Sequence, residues 1–132
     1  MGGIDLRLFF VFFSMIFMHI VDDYYLQGIL AKMKQKSWWK ENAPSVMYEQ
    51  DYVVALIMHS FSWTFMIMLP IAICMSFTMG WMLLAYPINT VIHAITDHLK
   101  ANKLKINLMV DQYIHFVQIA VTFVLYVSCY TW

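Results

Sequence analysis

The chain has 132 residues, of which 62% are hydrophobic and only 12% are charged, whereas a soluble domain usually carries about 25% charged residues. Its formal net charge is zero, so it has no basic field that would attract nucleic acid. These values argue against a soluble globule and against a nucleic-acid-binding protein. They predict one small domain, residues 1–132, embedded in the lipid bilayer.

Four apolar stretches follow one another along the chain, and each approaches the roughly 20 residues that a membrane-spanning helix needs. They cover residues 6–25, 52–75, 78–99 and 107–130. The stretches are too long and too continuously apolar for barrel strands. The predicted fold is therefore all-α, an integral membrane four-helix bundle. Pro70 and Pro87 predict bends in the second and third helices, because proline removes a backbone donor.

The segment after the first helix, residues 26–41, has an amphipathic pattern. Apolar side chains recur at helical spacing opposite a row of lysines, namely Leu26, Ile29, Leu30 and Met33 opposite Lys32, Lys34 and Lys36. This pattern predicts that the first helix continues as a segment lying in the membrane interface. Asn42, Ala43 and Pro44 should end it, since a residue before proline disfavours helix.

The lysines indicate an orientation in the membrane. Seven of the eight basic residues lie in the two connections that follow the first and third helices: Lys32, Lys34, Lys36, Lys40, Lys100, Lys103 and Lys105. The positive-inside rule places those two connections in the cytoplasm and both termini outside. We therefore expect a multi-pass protein of the cytoplasmic (inner) membrane. The sequence leaves open whether it forms a homo-oligomer.

Several ionisable side chains fall inside the predicted helices, where they are costly and usually face the bundle interior. Three pairs are four residues apart and therefore share a helix face: His19 with Asp23, His93 with Asp97, and Asp111 with His115. At a rise of about 1.5 Å per residue, these histidines and His59 lie roughly 9–12 Å from the cytoplasmic helix ends. The paired aspartates lie roughly 3–6 Å from the same ends. All four helices should thus contribute to one zone.

Imidazole and carboxylate groups from facing helices are the ligands with which helical bundles hold transition metals. The predicted ligands of one or two divalent ions, with zinc preferred, are His19, Asp23, His59, His93, Asp97, Asp111 and His115. Any of Asp23, Asp97 and Asp111 that stays unligated is a candidate catalytic general base. The alternative is a network of His–Asp hydrogen bonds that only fixes helix packing.

Four polar residues near these pairs are predicted to bind substrate or support the ligands: Gln27, Asn89, Lys100 and Gln112. Asp22 is expected to be a hydrated charge at the helix end, because on an α-helix it points about 100° away from Asp23. Cys74 and Cys129 lack the spacing of a metal-binding or redox pair and stay unassigned.

The polar motifs resemble a known family. They are HIVDDYYLQ at residues 19–27, His59, HAITDHLK at 93–100 and DQYIH at 111–115. In this order and spacing they resemble small bacterial and phage membrane proteins catalogued as domain of unknown function 3307. That family is distantly similar to membrane-bound metal-dependent hydrolases, so the resemblance implies metal-assisted hydrolysis.

The leading functional hypothesis is a membrane-embedded metal-dependent hydrolase whose site opens to the cytoplasm and cleaves an ester, phosphoester or amide. A proton or metal-ion transporter or channel is the alternative, because His and Asp chains also mark ion pathways. The outer half of the helices lacks ionisable groups, which argues against a pathway across the membrane. A structural or interaction protein is the third hypothesis, and it leaves the paired residues unexplained.

Overall fold

The computed structural model of the chain describes residues 5–75 and 78–130. It is all-helical, with 85% of the described residues in helices and no strand among them. Six α-helices are present there: α1 Leu6–Ile20, α2 Leu30–Met33, α3 Lys36–Asn42, α4 Asp51–Cys74, α5 Met79–Ala101 and α6 Leu108–Tyr130. A π-helix, Val21–Leu26, follows α1, and a 3-10 helix, Val46–Tyr48, precedes α4.

The all-α prediction is confirmed, but the helix count differs from the four that were predicted. Residues 26–41 do not continue the first helix, because Gly28 has a φ of +50°. A left-handed residue cannot extend a right-handed helix. The extended backbone of Gln35 then separates α2 from α3. The segment predicted as one amphipathic stretch is therefore two short helices, and α3 ends at Asn42 just before the Ala43–Pro44 step.

The π-helix is the second departure from the predicted pattern. Its wider turn is marked by the N–H of Gln27, which donates to the backbone oxygen of Asp22 at 3.0 Å, five residues earlier. Successive side chains on such a turn do not follow the α-helical angle. As a result Asp22 is buried rather than hydrated, with 1% of its surface exposed.

The four long helices close into a bundle in which α1 packs on α4 and α6, and α5 packs on α4 and α6. Its apolar core is centred on Trp63, Ile67 and Ile71 of α4, with Met15 of α1 and Tyr126 of α6. Pro70 and Pro87 both lie inside their helices. The apolar core and the cluster of buried polar residues occupy adjacent parts of the bundle.

The outer surface of the bundle is strongly apolar. Large side chains are exposed on every long helix, for example Phe13, Phe65, Leu84 and Leu125. Large exposed apolar patches are typical of surfaces that face a partner or a membrane. Two helical segments, Val46–Cys74 and Leu108–Cys129, are long and apolar enough to cross a membrane. Cys74 and Cys129 are free thiols.

Candidate metal centre

The four long helices and the π-helix bring the predicted histidines and aspartates into one buried cluster. His59 comes from α4, His93 and Asp97 from α5, and Asp111 and His115 from α6. None of the four histidines His19, His59, His93 and His115 has exposed surface. The His93 and His115 rings stack, with centroids 4.2 Å apart. Ring centroids are 5.1 Å apart for His59 and His93 and 5.6 Å apart for His19 and His115.

Three potential ligand atoms surround Nε2 of His59 at the centre of this cluster. Nε2 of His59 lies 3.2 Å from Nε2 of His93, 3.2 Å from Oδ1 of Asp23 and 3.4 Å from Oδ2 of Asp97. Nε2 of His93 lies 4.0 Å and 3.8 Å from the same two oxygens. Tetrahedral zinc with bonds of about 2.0–2.1 Å needs ligand atoms roughly 3.3 Å apart. The atoms of Asp23, His59 and His93, which lie 3.2–4.0 Å apart, therefore fit three corners of a tetrahedral site after small movements.

A second group of possible ligands overlaps the first. Asp23, His59 and His93 form one set and His93, Asp97 and His115 the other, with the ligand atoms of each set within 4.8 Å of one another. Nε2 of His115 lies 3.7 Å from Oδ1 of Asp97 and 3.5 Å from Oδ1 of Asp111. Because the two sets share His93, and one imidazole nitrogen binds one ion, they offer two alternative positions for a metal ion.

Hydrogen bonds within the protein do not satisfy this cluster. Seven buried ligand-type atoms have no hydrogen-bond partner: Nδ1 of His59, Nδ1 of His93, both ring nitrogens of His115, and one oxygen each of Asp22, Asp23 and Asp111. A buried polar atom left unpaired costs about 1–3 kcal/mol. The three oxygens face imidazole nitrogens at 3.2–3.5 Å, so either a cation or a closer His–Asp network would take up several of these atoms.

Two lysines neutralise part of the negative charge. Nζ of Lys34 lies 2.6 Å from Oδ2 of Asp97, and Nζ of Lys100 lies 2.6 Å from Oδ2 of Asp111. With the four aspartates of the cluster counted as ionised and its histidines as neutral, the aspartates exceed these two lysines by two negative charges. Buried charge needs compensation, and one divalent cation would supply it.

Asp22, which was expected to be a hydrated charge at the helix end, belongs to the cluster instead. Its Oδ1 accepts a hydrogen bond from the hydroxyl of Ser62 at 2.6 Å. Its Oδ2 lies 3.5 Å from Nδ1 of His59, the ring nitrogen opposite the one that faces the other ligands. Carboxylates in this position orient metal-binding histidines. Only the π-helix turns Asp22 inward, and α-helical spacing carries no sign of it.

Trp63 is a residue of the cluster for which no role was predicted, and it determines the role of His19. The indole N–H of Trp63 donates to Nδ1 of His19 at 2.7 Å, so Nε2 of His19 carries the proton and donates to Oε1 of Gln112 at 3.0 Å. His19 therefore has both ring nitrogens engaged and belongs to neither ligand set. Trp63 also stacks on His93 with centroids 4.2 Å apart. Its spacing of four from His59 could have indicated this shared face.

Lys34 was expected on the polar face of an interfacial helix, yet it is 8% exposed.

Of the predicted supporting residues, Gln112 donates to Oδ2 of Asp111 at 3.1 Å, and Lys100 pairs with the same oxygen. Gln27 donates to the backbone oxygen of Asp23. Asn89 lies outside the cluster, where its Oδ1 accepts hydrogen bonds from Gln118 and Thr122 of α6.

No protein-family model matches the sequence, and no curated protein or solved structure matches it either. The described residues themselves define the class: a helical protein with a buried cluster of His and Asp groups that could hold a metal ion.

Proposed function

We propose that this chain is a metal-dependent hydrolase embedded in the cytoplasmic membrane, with its site near the cytoplasmic face. The observation that carries the proposal is the convergence of Nε2 of His59, Nε2 of His93 and Oδ1 of Asp23, with Oδ2 of Asp97 3.4 Å from Nε2 of His59. Groups of this kind are rarely buried in apolar bundles without a function. We propose further that the polar motifs relate the chain to the family catalogued as domain of unknown function 3307.

The apolar surface supports a multi-pass position in the membrane. Val46–Cys74 and Leu108–Cys129 have the length and hydropathy of membrane spans. At about 1.5 Å per residue, α1 with its π-helical extension and α5 are also long enough to cross a core of about 30 Å. With Lys103 and Lys105 in the connection between α5 and α6, the positive-inside rule places that connection in the cytoplasm and both termini outside.

The first ligand set has the composition of a catalytic metal site. Three protein ligands, here Asp23, His59 and His93, leave one coordination position for water or substrate. Bound zinc lowers the pKa of its water to about 7 and polarises the bond to be cleaved. We take zinc as the candidate ion, and the excess of two negative charges favours a single ion.

Asp97 is the candidate general base. Its Oδ2 accepts a hydrogen bond from Lys34 at 2.6 Å, and its Oδ1 faces Nε2 of His115 at 3.7 Å. Lys34 thus holds the carboxylate beside the ligand set, where it can take a proton and pass it to His115. Asp111 is held by Lys100, whose side chain is 32% exposed. Lys100 therefore lies where substrate would enter from the cytoplasm.

A transporter is less well supported. Beyond the histidine layer the bundle is filled by fully buried apolar residues such as Ile67, Ile71 and Ile119. Among the described residues, the buried polar groups on that side are the amides and hydroxyls of Asn89, Gln118, Thr64 and Thr122. Without ionisable side chains there, no proton or metal relay continues across the bundle.

The test is metal analysis of the purified, membrane-extracted protein and of two histidine variants. We expect the wild type and His98→Ala to retain zinc and His93→Ala to lose it. His98 lies on the same helix, five residues from His93, and stacks on Tyr52 outside the cluster, so it controls for loss of a histidine. A wild type that binds no transition metal, or a His93→Ala variant with wild-type content, would refute the metal site and the hydrolase with it.

A further inference from the structure

A groove of about 460 Å³ runs between α5 and α6. Its walls are apolar, with Leu84, Ile88 and Ile92 on one side and Val117, Val121 and Leu125 on the other. Three polar residues, Asn89, Gln118 and Thr122, also line it. On a bundle placed in the bilayer as proposed above, this groove faces lipid.

One end of the groove lies at the same level along α5 and α6 as His93 and His115. Its lining residues Ile92 and Ile114 directly precede His93 and His115 in the chain. From Ile92 it extends along α5 to Trp81, a rise of about 16 Å at 1.5 Å per residue. One leaflet of a bilayer core of about 30 Å is of similar thickness. The groove therefore has the length of an acyl chain that starts near the metal centre.

Gln118 provides the polar feature of the groove. It is 7% exposed, and its Nε2 donates to both oxygens of Asn89 at 2.8 Å. Its Oε1 is buried and has no hydrogen-bond partner. A buried carbonyl oxygen of this kind requires a donor. Because Gln118 lies one helical turn from His115, a ligand N–H or O–H that met this oxygen would lie close to the metal centre.

We propose that the groove binds the acyl chain of a membrane lipid in which an amide N–H or a hydroxyl adjoins the chain and donates to Oε1 of Gln118. The apolar walls surround the chain, and the hydrogen bond to Gln118 fixes its position along the groove. The head group then lies towards Lys100, with the linkage next to the histidines. That this linkage is the bond cleaved rests on the proposed hydrolase function, whereas binding of the chain does not.

Photolabelling of the full-length protein in phosphatidylcholine nanodiscs tests the binding. The probe is an N-acylethanolamine with a diazirine in its chain, and the methyl ester of the same fatty acid is the probe without a donor. We expect labels on α5 and α6 at the groove. Val121→Trp, which fills it, should lower labelling about tenfold, the loss expected when about two methylene groups are displaced.

Val124→Trp is the matched control, because Val124 is on the same helix with similar exposure, 58% against 51% for Val121, and does not line the groove. It should label like the wild type. Gln118→Leu should weaken labelling by the amide probe about tenfold, one hydrogen bond's contribution, and leave labelling by the ester unchanged. If Val121→Trp does not fold, Ile88→Trp replaces it, because the new side chain fills the groove from the opposite wall.

Equal labelling of Val121→Trp and Val124→Trp, or labels spread evenly over the exposed Phe13 face of α1, would overturn the proposal. Zinc content, measured on the same samples, separates this outcome from failure of the hydrolase. Loss of groove labelling with zinc retained refutes only the lipid site, whereas a zinc-free wild type with groove labelling refutes only the hydrolase.

Discussion

Oδ2 of Asp22 lies 3.5 Å from Nδ1 of His59, and both residues are almost completely buried. The pair joins the π-helix after α1 to the middle of α4. A π-turn interrupts regular helical hydrogen bonding and is frequent at functional sites. Here its effect is to place two consecutive aspartates, Asp22 and Asp23, against the same imidazole from opposite ends of the ring.

The first prediction concerns this pair. Asp22→Asn removes the negative charge that faces Nδ1 of His59, and zinc affinity should fall about 10 to 100-fold, as is typical for loss of a carboxylate behind a metal-bound histidine. Competition with a zinc chelator measures the affinity. Asp51→Asn, on α4 outside the cluster, should leave it unchanged. Equal affinities for Asp22→Asn and the wild type would show that the carboxylate does not support His59.

The second prediction separates His19 from the other histidines. Both nitrogens of His19 are held by Trp63 and Gln112, so His19→Gln should retain zinc while lowering the stability of the fold. His59→Gln should lose the metal, because Nε2 of His59 contacts every other atom at the centre. Zinc content and thermal unfolding in detergent give both readouts. If His19→Gln lost zinc as completely as His59→Gln, His19 would be a ligand.

The third prediction concerns the buried ammonium of Lys34. Lys34→Met leaves Asp97 buried without its partner, and breaking such a pair typically costs about 3–5 kcal/mol. The free energy of unfolding of the zinc-free protein should fall accordingly. Excess zinc should restore much of this loss, because the ion compensates the same carboxylate.

Lys32→Met is the control for this experiment, since Lys32 lies on α2, two residues before Lys34, and is exposed. It should change the unfolding free energy little with or without zinc. A Lys34→Met protein as stable as Lys32→Met in the absence of zinc would contradict the role given to this ion pair.

The fourth prediction tests the orientation in the membrane. In a variant with Cys74 and Cys129 replaced by Ser, a cysteine introduced by Lys103→Cys should react with an impermeant maleimide only from the cytoplasmic side. Met79→Cys, at the start of α5, should react only from the opposite side. Lys103 and Met79 are both exposed, so neither result depends on burial. The reverse pattern would invert the topology, and labelling of both from one side would refute the span formed by α5.

Local sequence patterns were sufficient for the helical class and for most of the cluster. Continuous apolar stretches specify long helices, because a buried or lipid-facing backbone must satisfy its own hydrogen bonds. The spacing of four between His93 and Asp97, and between Asp111 and His115, places each pair on one face. The structure brings these pairs together with His59 and Asp23 at one level of the bundle.

The other features of the site could not be predicted from residue spacing, because they depend on contacts between segments that are distant in the sequence. The π-turn at Val21–Leu26 rotates Asp22 inward, and a local change of helix type leaves no mark in the spacing of the residues. Lys34 is buried because α2 folds back over α4 and meets Asp97, 63 residues away. His19 has the same spacing to Asp23 as the other pairs, yet the indole of Trp63 occupies its ring nitrogen. Spacing along one helix determines which side chains share a face, but only the packing of the helices determines which atoms of those side chains meet.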